Sequence, residues 1–173
     1  HRGLRELSGK TACIIGTGSV GSAIARRLRA FDVQTVGINR SGHPAAEFDQ
    51  TQPTCRLDDL LPLADLVSCA MPLTAETAGL FDSVRLAKIK PGAVFVNVAR
   101  GKVTDQQALV EALQSGQLSG AVLDVFEEEP LPRSSPLWDM EQVILTPHNS
   151  FVGEHNGERL FRLFCKNLES FAQ

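Results

Sequence analysis

The stretch "TACIIGTGSVGSAIARRL", residues 11–28, decides the fold. Its apolar opening, "TACIIG", reads as a strand. Gly16, Gly18 and Gly21 follow in GxGxxG spacing. Beyond them, Val20, Ala23, Ile24, Leu28 and Phe31 recur at helical intervals. A strand, a glycine turn and a helix in that order make the first half of a βαβ unit. One glycine makes the turn, one lets the backbone approach a pyrophosphate, and one lets helix and strand pack closely. Gly16, Gly18 and Gly21 would then present the helix N-terminus to phosphate. Glycine turns are common, so it is the strand–turn–helix setting that carries this reading.

The same alternation continues along the chain. Strands are read at "VQTVGI" (33–38), "DLVSCA" (65–70), "GAVFVNV" (92–98), "SGAVLDV" (119–125) and "QVILT" (142–146). Between the second and third lies a polar stretch, "NRSGHPAAEFDQTQPTC", read as loop. "LDDLLPLA" reads as a short helix capped by Asp58, and "TAETAGLF" and "VRLAKI" as short helical pieces. In "TDQQALVEALQSG" (104–116), Thr104 and Gln107 have capping-box spacing and Gly116 is placed to stop the helix. "GERLFRLFCKNLESFA" closes the chain as a helix, and its stripe of Leu160, Phe161, Leu163, Phe164, Leu168 and Phe171 predicts a wide buried face. Nearly all-apolar strands alternating with helices predict a parallel sheet covered on both faces. The fold class is α/β, a doubly wound three-layer αβα sheet of the Rossmann type. No internal boundary is visible, and "EEEPLPRSSP" (127–136) reads as a surface loop.

Bulk properties narrow the function. The chain has 173 residues, 43% hydrophobic and 21% charged, with a formal net charge of -3. That charge gives no electrostatic reason to bind nucleic acid or an anionic membrane. Arg26, Arg27 and Arg29 read as a solvated helix face. No apolar run approaches the ~20 residues of a membrane span, and no signal-peptide pattern is read. Cys13, Cys55, Cys69 and Cys165 are scattered, without CxxC, and the histidines lack metal spacing. Neither a disulfide framework nor a metal site is expected, and the compartment reads as reducing and cytoplasmic.

Strand order 3-2-1-4-5-6 would place the second strand's end at Asn39 and the third's, at Met71-Pro72, on the adenosine side. Asn39, Arg40 and Ser41 stand where such folds usually carry the acid that bonds a ribose 2′-OH. A carboxylate there would repel a 2′-phosphate by about 4 kcal/mol at 4 Å in an effective dielectric near 20. Its replacement by an amide, a guanidinium and a hydroxyl favours NADP(H) over NAD(H). The alternative has Asn39 bonding an unphosphorylated ribose while Arg40 points into solvent. On the nicotinamide side, the remaining strands end at Arg100, at Asp124 with Glu129 beyond it, and at His148. An arginine can grip a carboxylate bidentately. An imidazole can move a proton near neutral pH, with an acid to orient it. Asp124 could bond a nicotinamide carboxamide. Taken singly, each of these residues has an ordinary structural use; at successive strand ends they form a constellation.

Four stretches match one family: "ELSGKTACIIGTGSVGSAIARRL", "AMPLTAETAGLF", "VNVARGKVTDQQALVEALQSGQLSGAVLDVFEEEPL" and "VILTPHNS". They resemble the nucleotide-binding domain of the D-isomer-specific 2-hydroxyacid dehydrogenases, from about Glu6 to the last helix. The resemblance implies that Arg100 binds the substrate carboxylate, that His148 is the acid/base, and that Glu129 is its partner. Ser19 and Val20 would lie against the pyrophosphate, and Pro72 and Thr77, with Met71, would line the groove. Val98 and Ala99 would lie by the nicotinamide, and Asp124 would hold its carboxamide. It implies a small 2-keto or 2-hydroxy acid substrate and a homodimer. The family's substrate domain is missing, so residues 1–173 read as a dinucleotide-binding domain cut from a longer protein and close to inactive alone. Two rivals remain. One is an NAD(H)-sensing corepressor-type module, in which the fold serves partner recognition. The other, a short-chain dehydrogenase, needs a Tyr-x-x-x-Lys pair, and the chain contains no tyrosine.

Overall fold

The computed structural model describes residues 6–171. Strands β1 (Thr11–Ile15), β2 (Gln34–Asn39), β3 (Gln50–Pro53), β4 (Leu66–Cys69), β5 (Ala93–Asn97), β6 (Leu118–Leu123) and β7 (Val143–Leu145) form one sheet. The helices are α1 (Ser19–Arg29), α2 (Leu57–Leu60), α3 (Ser83–Lys88), α4 (Gln106–Gln114) and α5 (Asn156–Phe171). The strand order is β3-β2-β1-β4-β5-β6-β7, with every pairing parallel. This is the expected Rossmann-type α/β architecture.

Strand β1 shows why its sequence is continuously apolar. Side chains alternate faces along a strand. Ala12 and Ile14 pack with Ala25 of α1, Val33 and Phe48 on one side. Cys13 and Ile15 join the larger core on the other, with Leu86 of α3, Leu109 of α4 and the edge-to-face pair Phe81–Phe95. Cys13 and Cys69 are buried core residues, and burial pushes the Cys13 thiol up to about 12.

Five expectations are corrected. The sheet has seven strands, because β3 forms inside the stretch read as loop. Its sequence, Gln-Thr-Gln-Pro, is polar because it lies at the sheet edge, where burial is slight. Strand 66–69 lies beside β1 rather than beyond β2, so the chain reverses its order between β1 and β4. Met71-Pro72 therefore emerges at the centre of the sheet, not on the adenosine edge.

The caps also differ. Asp105, not Thr104, caps α4, accepting from the Ala108 amide at 2.9 Å. Thr104 is buried and takes a hydrogen bond from Asn97. Asp58 sits inside α2 and pairs with Arg85 and Lys88, each at 2.8 Å, across to α3. Finally, α5 buries none of its residues: Leu160, Phe161, Leu163, Phe164, Leu168 and Phe171 are exposed. An apolar stripe records that a face is meant to be covered, not what covers it. The expected last residue of this helix, Ala172, lies outside the described residues.

The register positions the site. Ile38, Ile15, Cys69, Asn97, Leu123 and Leu145 form one row across the sheet. Gly16, Ala70, Val98, Asp124 and Thr146 come next in sequence and leave the sheet together, while β2 runs one residue further to Asn39, beside Pro53 of β3.

Candidate functional site

Steric necessity builds the glycine turn. Gly16 leaves β1 at φ +105°, and a Cβ on it would stand 2.5 Å from the Ala70 carbonyl oxygen. Gly21 packs so tightly that a Cβ would collide with the Gly16 carbonyl. Gly18 is the N-cap of α1, with open space beyond its Cα. No side chain caps α1 and no acid lies in its first turn, whereas Asp82 and Asp105 cap α3 and α4. First-turn amides without a side-chain partner, at the positive end of a helix, fit a pyrophosphate. Ser19 and Val20 open this helix. Val20 lines a 360 Å³ hollow with Met71, Pro72, Val98, Ala99 and Arg100. Residues from α1 and from the segments that follow β4 and β5 thus border one space at the switch point.

The adenosine-side residues divide. The Asn39 side chain is engaged within the protein. Its Nδ2 donates to Thr17 Oγ1 at 3.2 Å and to the His43 carbonyl at 2.8 Å, and its Oδ1 accepts from the Gly42 amide at 2.6 Å. It ties the glycine turn to the 39–43 loop. Arg40 is 86% exposed and lies 3.4 Å from Glu76, itself 74% exposed. Thr74 Oγ1 steadies Glu76 at 3.2 Å. Ser41 is exposed. The Thr77 hydroxyl donates to the Pro72 carbonyl at 2.8 Å and accepts from the Thr74 amide at 2.7 Å, bracing the groove wall.

At the end of β5, buried Asn97 shapes the turn that carries Arg100. Its Nδ2 donates to the Arg100 carbonyl at 3.1 Å, and its Oδ1 accepts from the Ala99 amide at 3.0 Å. Arg100 is exposed, with Nη1 donating to the Ala99 carbonyl at 2.7 Å. Gly101 runs so close to Phe126 that any Cβ would strike its carbonyl. The arginine turn is thereby keyed to the loop that holds Glu129. Sequence reading missed Asn97. The available signal was one polar residue at the end of an apolar strand, which must find partners when buried.

Beyond β7, the His148 amide donates to the Thr146 carbonyl at 3.0 Å and His148 adopts φ +51°. That region is uncommon for a residue other than glycine. His148 Nδ1 donates to Glu129 Oε2 at 2.7 Å, the two side chains being 37% and 36% exposed. Glu129 Oε1 accepts from the Phe126 amide at 3.0 Å. The His148 bond, then the Phe126 bond, hold the Glu129 carboxyl below its ordinary 4.5 against the effect of burial, and the Arg100 charge adds to them. With Nδ1 committed, Nε2 is left to face a ligand. The pair lines a 610 Å³ hollow with Phe126, Leu131, Trp138 and Leu145, separate from the hollow that Arg100 lines.

Asp124 is buried beneath this turn. Its Oδ1 accepts from Thr146 Oγ1 at 2.6 Å and from the Asn149 and Ser150 amides, each at 3.1 Å. Its Oδ2 accepts from Ser150 Oγ at 2.6 Å and from the Ser150 amide at 3.3 Å. Burial opposes ionisation, but bonds from Ser150, Thr146 and Asn149 outweigh it and hold the carboxyl below its ordinary 3.8. Thr146, Asn149 and Ser150 flank His148 in the sequence but were not singled out there. Among the described residues, no group of three or more His, Cys, Asp or Glu could hold a metal ion, and no helix is long and apolar enough to cross a membrane.

A parallel sheet that reverses order beside a glycine turn and an uncapped helix defines the α/β domains that hold a dinucleotide across the switch point. Comparison with known proteins narrows the class. Residues 1–150 match the model of the D-isomer specific 2-hydroxyacid dehydrogenase, NAD binding domain, and the chain belongs to this family. The glyoxylate reductase of Pyrococcus furiosus is 40% identical over 166 residues, covering 96% of this chain and 49% of that protein. The crystal structure of a D-isomer specific 2-hydroxyacid dehydrogenase family protein from Aeromonas salmonicida superposes with a TM-score of 0.90 at 40% identity, over 99% of this chain and 55% of that one. The NADPH-dependent glyoxylate/hydroxypyruvate reductase of Sinorhizobium meliloti, in complex with NADP and sulfate, has a TM-score of 0.89 at 32% identity, with 99% and 55% covered. The chain spans about half the length of the curated relatives it matches.

Proposed function

We propose that residues 1–173 are the dinucleotide-binding domain of a reductase that interconverts a small 2-keto acid and its D-2-hydroxy acid, the substrate domain lying outside this sequence. The observation that carries this reading is the 2.7 Å His148–Glu129 pair, set one turn beyond the sheet row that also launches Arg100. When bound, the nicotinamide supplies the hydride in reduction and takes it back in oxidation. Arg100 grips the substrate carboxylate and polarises the neighbouring carbonyl. His148 gives a proton from Nε2 to the carbonyl oxygen in reduction and removes it in oxidation. Glu129 holds Nδ1 and stabilises the charged ring. Acid/base help of this kind is worth roughly 10²–10⁴-fold.

Gly16, Gly18, Ser19, Val20 and Gly21 take the pyrophosphate. Met71, Pro72 and Thr77 form the groove wall, Val98 and Ala99 flank the nicotinamide, and Asp124 holds its carboxamide. NADP(H) is the preferred cofactor. Asn39 is engaged internally, so Arg40 and Ser41 are the groups offered to a 2′-phosphate. The NADP-bound relatives from S. meliloti and Rhizobium etli support this choice. By resemblance, the protein works as a cytoplasmic homodimer.

The test is steady-state reduction of glyoxylate, hydroxypyruvate and pyruvate by the full-length protein, with NADH and with NADPH. A rate that His148→Ala abolishes is the expected result. A dinucleotide-binding protein with no His148-dependent rate would instead be a corepressor-type sensor.

A further inference from the structure

We propose that Asp124 is the positioning residue of the acid/base centre, fixing the 146–150 turn so that His148 meets Glu129. This deepens the reading of His148 as proton carrier and rests on it.

The geometry carries the inference. His148 sits at φ +51°, a left-handed conformation uncommon outside glycine. Its own side chain reaches Glu129, not Asp124. Yet Thr146, Asn149 and Ser150, on both sides of it, all donate to the one buried carboxylate. The near side of the turn is also pinned to the sheet, the Thr146 amide donating to the Leu123 carbonyl at 3.0 Å. Asp124 in turn follows β6 directly, its amide donating to the Asn97 carbonyl at 3.0 Å. The acid therefore transmits the rigidity of the sheet to a turn that has no strand of its own. Oδ1 accepts three hydrogen bonds and Oδ2 accepts two, from the Ser150 hydroxyl and amide, so donors of the turn engage both oxygens. A group that only held the cofactor would have no need of these internal donors. The carboxyl stays ionised despite burial because the same donors stabilise its charge.

The test compares full-length wild type with Asp124→Asn and with the double variant Thr146→Val/Ser150→Ala, which keeps the acid and removes two donors. Spectra of ¹⁵N-histidine-labelled protein report which nitrogen of the neutral His148 ring carries the proton; Glu129→Gln assigns the signal. The wild type is expected to show the proton on Nδ1, and both variants a mixture of tautomers. The variants are also expected to lose about 10- to 100-fold in kcat, part of the acid/base contribution, and the double variant to keep KM for the cofactor within about twofold. Variants that retain the Nδ1 tautomer and the wild-type kcat, and only raise the cofactor KM, would overturn the proposal and leave Asp124 as a carboxamide holder. Should Asp124→Asn fail to fold, the double variant decides. If no His148-dependent reduction is found in the wild type, the functional reading fails separately, and the ring tautomer still decides the positioning role.

Discussion

Replacing Glu129 by Gln keeps the shape and an acceptor oxygen but removes a charge 2.7 Å from His148 Nδ1. Both side chains are more than a third exposed, at 37% and 36%, so water screens the pair. At that separation, an effective dielectric of ~60–80 gives an attraction of about 1.5–2 kcal/mol. In the oxidation direction the ring takes up the proton and the attraction stabilises the charge that develops there, so its loss corresponds to about a 10- to 30-fold fall in the rate of hydroxy-acid oxidation. The Glu129 carboxyl is held below 4.5, so its charge persists as pH falls into the carboxylate range. In Glu129→Gln that partner is gone at every pH, so the loss should be present throughout the neutral range. The assay is kcat for hydroxy-acid oxidation by the full-length protein across pH, at saturating cofactor. A His148→Ala background supplies the control, in which adding Glu129→Gln should cost nothing further. A Glu129→Gln protein that matches the wild type in rate and profile would show the pair to be ornamental.

Three further outcomes are expected. Arg100→Lys should lose about 1.5–3 kcal/mol of carboxylate binding, because an ammonium cannot make the bidentate pair; an unchanged KM for the keto acid would remove Arg100 from the substrate site. Gly21→Ala places a methyl against the Gly16 carbonyl and should cost about 1–3 kcal/mol in a denaturant melt, together with weaker cofactor binding; an unaltered melt would count against this packing. The carboxyls of Asp49, Asp58, Asp65, Asp124 and Glu129 are all held below their ordinary values. Depressed values mean that the stability they contribute is complete above the unfolded-state range and is lost as pH falls through the native values. The urea midpoint should hold down to about pH 5 and drop below about pH 4; a steady decline beginning at neutrality would point to other groups.

Much of this molecule could be read from its residues, for physical reasons that differ by element. Central strands are buried on both faces, so their apolar runs announced them. The edge strand β3 needs no such burial, and its four polar residues looked like loop. Periodicity located α4 but not its cap, because Thr104 and Asp105 both have capping chemistry and only the three-dimensional burial of Thr104 separates them. Arg100, Glu129 and His148 stood out because charged or titratable groups at the ends of apolar strands are rare. Thr146 and Ser150 did not, since their partner Asp124 is distant in the chain and leaves no local pattern. The apolar stripe of α5 was legible, whereas its exposure among the described residues was not.

The single row of residues from which five segments leave the sheet has an evolutionary consequence. Inserting one residue into β6 would carry Asp124 along the strand by about 3.3 Å and turn its carboxylate to the opposite face, away from the donors beyond β7. Lengthening the connection after Gln114, at the other end of the sheet, would disturb none of these exits. Descendants of such a domain are free to diverge in the connections that enter its strands, while the lengths of the strands themselves are locked to one another. New specificities should therefore arise by exchanging side chains on segments of constant spacing.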